Sequence, residues 1–308
     1  MRVKTILLIL FIVSLMFLAR SPALAEATPL DAKAAAPIPI DAAAGYAADL
    51  KYYLSDTEYL DPTLHVTIEK DSYLKTNIQI VRVQIAHPSQ LRTAFANRYG
   101  TQTTVPAAKL AKRVNAVTAV NADFHSFDNH GVILRQGHLY RSRFTLPDDI
   151  LIIDDQGDFH VVPEANQETF YQAYDALGGA FDEGGRIINV ITFGPLLVNE
   201  GQLAHEIYSR VNNAAYVRAQ RVVIAQVDTL SYLLVVTEGP ESKNSKGLTL
   251  KEMAEYMLEL GCRIAYNLDG GSSASLIFRD KKINSLDTHK VRHVSDIIYF
   301  STGLPDGE

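Results

Sequence analysis

Two short stretches concentrate the side chains able to do chemistry. The first, Tyr266-Asn267-Leu268-Asp269-Gly270-Gly271-Ser272-Ser273, sets a carboxamide, a carboxylate, two glycines and two hydroxyls between apolar runs. Glycine reaches φ > 0 and lets a ligand approach the backbone, while Asp and Ser supply acceptors and donors. Alone, the octet also fits an ordinary turn, because Asp-Gly and Gly-Gly are hairpin chemistry. The second stretch is Asn121-Ala122-Asp123-Phe124-His125. Both close the same kind of unit, a helix followed by an apolar strand and Asn-x-Asp. Side chains two apart on a strand point the same way, so each end presents an amide and a carboxylate together. If the two strands run side by side in one direction, Asp123 and Asp269 converge at the C-terminal edge, where ligands bind in sheets with helical connections. Facing carboxylates suit glycosidic chemistry, in which an oxocarbenium-like transition state needs negative charge and either a nucleophile or a base for water. They suit a divalent cation such as Ca²⁺ or Mg²⁺ equally well.

The elements that must position these residues are legible in outline. Thr249 with Glu252 forms a capping box, Met253, Tyr256, Met257 and Leu260 recur at helical spacing, and Gly261 stands at the C-terminal cap, which predicts a helix over 249–260. Thr104 to Val114, with Pro106 in its first turn, predicts a second helix, and Thr169 to Leu177 a third. Pro88 to Arg92 reads as a turn into a short helix. Hairpin spacing recurs at 131–140, at 150–162 and at 221–237. Many hairpins with two helix-to-strand units predict an α+β fold: a mixed β-sheet with a few packed helices, in a single domain over residues 52–303.

Composition narrows the class. The chain has 308 residues, 47% of them hydrophobic, enough for a sizeable core. Arg2 and Lys4 precede an apolar run from Ile6 to Leu18, and Ala23-Leu24-Ala25 offers small residues for cleavage, so residues 1–25 read as a signal peptide. The run is short of the about 20 residues a membrane span needs. Residues 26–48, rich in Ala and Pro, read as a tether. The balance of 29 basic against 35 acidic residues, more acidic still without Arg2, Lys4 and Arg20, argues against nucleic acid or anionic lipid as partner. The lone Cys262 excludes an internal disulfide and a multi-thiolate zinc site. A serine nucleophile elbow at Gly271-Ser272-Ser273-Ala274-Ser275 fails, since that pattern needs Gly where Ser275 stands.

Several motifs in consistent order resemble the phosphodiester glycosidases, the family related to N-acetylglucosamine-1-phosphodiester α-N-acetylglucosaminidase. Asn267 to Ser273 is similar to that family's Asn-Leu-Asp-Gly-Gly-Gly-Ser signature. Gly247-Leu248-Thr249-Leu250 with Glu252, Phe193-Gly194-Pro195 with Leu197-Val198, and Asn121-Ala122-Asp123-Phe124 extend the match over roughly residues 60–302. Ala122 and Ser272 stand where the family has Gly, and Ala219-Gln220-Arg221 keeps only the Arg of a Pro-Arg-Thr run; these departures bear on substrate identity more than on fold. The resemblance implies hydrolysis of a sugar-1-phosphodiester at the anomeric carbon, and the expected signal peptide makes such an enzyme an exported, extracytoplasmic one. It implies Asp269 as nucleophile or charge stabiliser, Asp123 as partner carboxylate and His125 in proton exchange. Asn121 and Asn267 would hold sugar hydroxyls or a carboxylate, or equally cap their strands, and Arg221, with Arg218 as competitor, would hold the phosphate, with N–H donors from Gly270, Gly271 and Ser272. Glu238 is a reserve carboxylate, and Gly194-Pro195 would shape the pocket wall. The competing class is a non-catalytic glycan-binding or polysaccharide-assembly accessory protein using the same pocket.

Overall fold

The computed structural model describes residues 30–305, apart from 124, 128, 181–183, 208–214, 241, 243 and 286–290. The expected signal peptide falls outside the described residues.

Alternation of apolar and polar side chains builds the longest hairpin, Leu64–Tyr73 against Thr76–Ile85, which turns Leu64, Val66, Val81, Val83 and Ile85 inward. This hairpin belongs to a nine-stranded sheet that continues through Ser231–Thr237, Val222–Asp228, Ile264–Leu268 and Leu196–Asn199. A five-stranded sheet runs in the order Phe159–Ala165, Asp148–Asp154, Ile187–Thr192, Gly131–Arg135, His138–Arg143. A second five-stranded sheet runs Lys281–Lys282, Leu276–Phe278, Thr118–Asn121, Asp296–Phe300, Leu91–Phe95. The largest apolar cluster draws on all three, with Val81 and Ile224 from the first, Leu151 and Ile191 from the next, and Val120 and Ile298 from the last.

Each sheet also carries one short helix on its other face. Met253, Ala254 and Met257 of the Leu250–Glu259 helix pack with Val223, Leu233 and Val235. Leu110 and Ala111 of Ala107–Arg113 pack with Ile277 and Ile297. Phe170 and Tyr174 of Gln167–Ala176 pack with Val132, Ile152 and Val190. The Thr249/Glu252 capping box is present as the sequence predicts.

The α+β expectation is overturned. The described chain is dominated by strands, with three short α-helices, and every strand pairing among the described residues is antiparallel. The reason is that a helix-to-strand unit fixes only which segment follows the helix, not the direction of the strands beside it. Ile264–Leu268 pairs antiparallel with both Val222–Asp228 and Leu196–Asn199, and Thr118–Asn121 lies antiparallel between Asp296–Phe300 and Leu276–Phe278. Pro88–Gln90 is a single 3₁₀ turn that leads into the Leu91–Phe95 strand rather than into a helix.

The Ala/Pro-rich stretch lies against this body over its described part. Ala36 N–H donates to Gly303 O, Ile38 is 3% exposed, and Gly45 N–H donates to Val114 O. Its clasp is Arg92, whose Nη1 donates to Pro39 O (2.9 Å) and whose Nη2 donates to Asp41 O and Ala43 O, while Nε reaches Tyr299 Oη (3.1 Å). An Arg92→Leu substitution strands those carbonyls and is expected to cost about 2–4 kcal/mol in denaturant unfolding. Limited proteolysis should then cut within residues 39–45, which the native clasp protects.

Candidate functional site

The strand Thr118–Asn121 delivers Asp123 and His125 just past its end, and its antiparallel neighbour Asp296–Phe300 begins there. Ile297 pairs with Asn121 and Ala122 N–H donates to Asp296 O (3.3 Å), so Asp123 and Asp296 occupy one end of the same sheet. Arg135 arrives from the other five-stranded sheet, at the end of a strand whose five residues are all buried. Its Nη2 donates to Asp123 Oδ2 (2.6 Å) and to Asp296 Oδ2 (3.0 Å), and its Nη1 donates to Leu134 O and Val190 O. His125 closes the group: its Nδ1 lies 3.1 Å from Asp123 Oδ1 and 3.6 Å from Asp296 Oδ2, and its backbone N–H donates to Asp123 Oδ1 (2.9 Å).

Asp269 comes from the nine-stranded sheet and joins by backbone bonds. Its N–H donates to Ala122 O (3.1 Å), while Asn121 Nδ2 donates to Asp269 O (2.6 Å). Asp123 and Asp269 therefore meet where three sheets come together, not at a shared parallel edge. Gly270 passes so close to the backbone that a Cβ there would stand 2.4 Å from Gln220 O, and Gly271 sits at φ +58°, opening the turn Gly271–Ser273.

Electrostatics separates the carboxyls. Burial pushes Asp123 up, yet the Arg135 charge and the His125 contacts more than offset it and hold the group well below the ordinary carboxylate range. Burial alone would lower His125, but its bonds and charges with Asp123 and Asp296 raise it to about 9, an imidazolium at neutral pH. Asp269 moves the other way. Burial raises it to about 6, helped by the negative charges of Asp123 and Asp296 and opposed by the Ser273 hydrogen bond and the Arg292 charge. Asp269 is thus a carboxyl poised to change charge near neutrality, beside two pairs whose charges already balance. Arg135 fills the space between Asp123 and Asp296, so the His125, Asp123 and Asp296 donor set does not fit Ca²⁺ or Mg²⁺.

The remaining sequence candidates divide. Asn121 spends both polar atoms on backbone, with Oδ1 accepting from Ser275 N–H (2.9 Å); it joins the two strand ends. Asn267 Nδ2 donates to Gly194 O (2.7 Å), holding the turn that contains the cis Gly194-Pro195 bond. Arg221 is buried and donates from Nε to Leu248 O and from Nη2 to Val217 O, and burial lowers its pKa to about 10. Gly271 N–H donates to Gln220 O, and Ser272 O accepts from Arg292 N–H (2.9 Å). Glu238 accepts from Asn77 Nδ2 (2.8 Å). Sequence reasoning missed Arg135 and Asp296. Their signal was a charge at the end of an otherwise apolar strand, Val132-Ile133-Leu134-Arg135 and Asp296-Ile297-Ile298.

Beside His125 opens a cavity of about 290 Å³, lined by Tyr99, Gln102, Ser126, Phe127, Asn129 and Arg141 among others. The His125 Nδ1 edge faces the carboxylates, and His125 is itself among the residues that line this cavity.

A model of the phosphodiester glycosidase family matches residues 114–301. Among solved structures, the catalytic domain of zebrafish N-acetylglucosamine-1-phosphodiester alpha-N-acetylglucosaminidase, auto-inhibited by its pro-peptide, is similar with a TM-score of 0.60 and 16% identity, over 85% of this chain and 87% of that one. A protein from Synechocystis is similar with a TM-score of 0.49 and 17% identity, over 77% of this chain and 62% of that one. No curated protein matches. At these identities the structural likeness speaks for the fold.

Removing Arg135 leaves Asp123 and Asp296 buried with half their compensation, so Arg135→Met is expected to lose about 3–5 kcal/mol at pH 7. Asp123 has a depressed folded pKa, so its contribution is present above its unfolded value of about 4 and is lost as pH falls below it. The deficit of Arg135→Met should therefore be full at pH 7 and shrink below about pH 4, which urea unfolding across pH checks.

Proposed function

The chain belongs to the phosphodiester glycosidase family, and from that premise we propose that it hydrolyses a sugar-1-phosphodiester at the anomeric carbon, with the sugar an N-acetylhexosamine or close relative. The observation that carries the reading is Asp269, a carboxyl raised to about 6 beside the paired charges of Asp123, Asp296, Arg135 and His125. When the anomeric C–O bond breaks, its electron pair leaves on the phosphate oxygen and positive charge grows on the sugar. Asp269, ionised above pH 6, supplies the opposing charge, and water supplies the new oxygen on the anomeric carbon, releasing to solvent the proton that restores the one His125 gives up. The phosphate monoester released is already a good leaving group, so the reaction asks less of an acid than an alcohol would. His125, an imidazolium that lines the cavity, offers positive charge and a proton to the departing phosphate. Asp123, Asp296 and Arg135 orient that imidazolium and keep its proton in place.

The same reading puts the protein outside the cytoplasm, acting on envelope or extracellular glycans. What supports this is the charged start, apolar run and Ala23-Leu24-Ala25 of residues 1–25. Among the described residues no helix is long and apolar enough to cross a membrane. N-terminal sequencing of the exported protein should begin at Glu26.

Turnover is measured as sugar released from a p-nitrophenyl-phosphoryl or UDP-linked N-acetylhexosamine. Asp269→Asn should lower kcat by about 10³-fold or more and His125→Gln by about 10²–10⁴-fold. In the wild type, kcat/KM should rise through about pH 6 as Asp269 ionises and fall through about pH 9 as His125 loses its proton. Full turnover in Asp269→Asn would remove that carboxylate from the reaction. Glycan binding with no diester cleaved would favour the accessory protein.

A further inference from the structure

The carboxylates account for one side of His125; aromatic rings cover the other. The Tyr99 ring lies nearly parallel to the imidazole, with centroids 5.8 Å apart at 25°. Phe95 meets the imidazole edge-on at 4.9 Å, and the Arg135 guanidinium carbon stands 6.0 Å from the same Phe95 centroid. Behind them Tyr140 packs on both, 5.0 Å from Phe95 and 5.1 Å from Tyr99. Phe95 is placed by the sheet itself, since its backbone pairs with Asp296. Tyr99 lies four residues further on, half-buried, beside the Tyr99–Gln102 wall of the cavity.

We propose that Tyr99, backed by Phe95 and Tyr140, is a positioning residue for the reaction: its ring lies on His125 and keeps the imidazole charged, dry and fixed at the cavity wall. The proposal rests on the role given to His125 above. Its physical basis is the aromatic quadrupole, whose negative face attracts a cation. Carboxylates alone would fix the Nδ1 edge but leave the ring free to tilt about that bond. A flat ring on one face and an edge contact from Phe95 remove that freedom. The groups facing His125 are then Asp123 and Asp296 at Nδ1, Arg135 through both carboxylates, Tyr99 and Phe95 on the ring, and Arg141, whose Nη1 donates to His125 O (3.3 Å).

The test compares Tyr99→Phe, Tyr99→Leu and Phe95→Leu with the wild type, reading the His125 titration by NMR without substrate and the pH profile of kcat/KM with it. Tyr99→Phe keeps the ring and should match the wild type in both. Tyr99→Leu keeps an apolar cover but loses the quadrupole, so the His125 pKa should fall by about half a unit or more and the basic limb of the profile should move down with it. Phe95→Leu removes only the edge contact that limits tilting, so it should lower kcat/KM while moving the His125 titration less than Tyr99→Leu does. An unmoved His125 titration in a folded Tyr99→Leu protein overturns the proposal whatever the activity does. If no variant, wild type included, cleaves a diester, the functional reading fails while the titration still decides the positioning role.

Discussion

The bridge that Arg135 makes between Asp123 and Asp296 is the interaction on which the rest depends. Two carboxylates and two cations, all at or below 9% exposure, cannot be buried singly, because each unpaired charge would carry a large desolvation cost. Paired, they form a block that is neutral as a whole yet sharply polarised. The block fixes where two sheets meet and provides the negative background that, with burial, raises Asp269. The bonds that close the sheets against each other therefore also hold four charges in one fixed geometry.

Much of this was written in local pattern, and the rest was not, for a definable reason. The capping box at Thr249 and Glu252, the hairpins and the two Asn-x-Asp ends are sequence-local signals, and the structure places all of them. Strand direction is not local. Nothing in the helix-to-strand units of 107–121 and 250–268 says which strand lies beside them, and the mixed sheet inferred from them is wholly antiparallel among the described residues. Arg135 and Asp296 were missed for the same reason: a charge ending an apolar strand marks the residue, but its meaning comes only from a partner that the chain brings from elsewhere. The family resemblance supplied the order of motifs, yet it did not point to either residue.

The amides and Arg221 make a second lesson. Asn121, Asn267 and Arg221 sit beside motif residues and have the right chemistry to hold a ligand, but both polar atoms of Asn121, Nδ2 of Asn267, and Nε and Nη2 of Arg221 hold backbone instead. A polar residue next to a site is often there because irregular backbone needs partners when it is buried. At Asp269 that support has a direct effect: its carbonyl is tied to Asn121 and its N–H to Ala122, so the carboxyl is carried on a main chain fixed at both ends.

The spacing of the bridge along the chain sets when the site can exist at all. Asp123 and Arg135 are 12 residues apart, whereas Arg135 and Asp296 are 161 apart. A chain still being synthesised therefore holds the first pair through 161 further residues before Asp296 can join it. The polar centre is thus completed by a long-range contact, only after the strands encoded between Arg135 and Asp296 have been made.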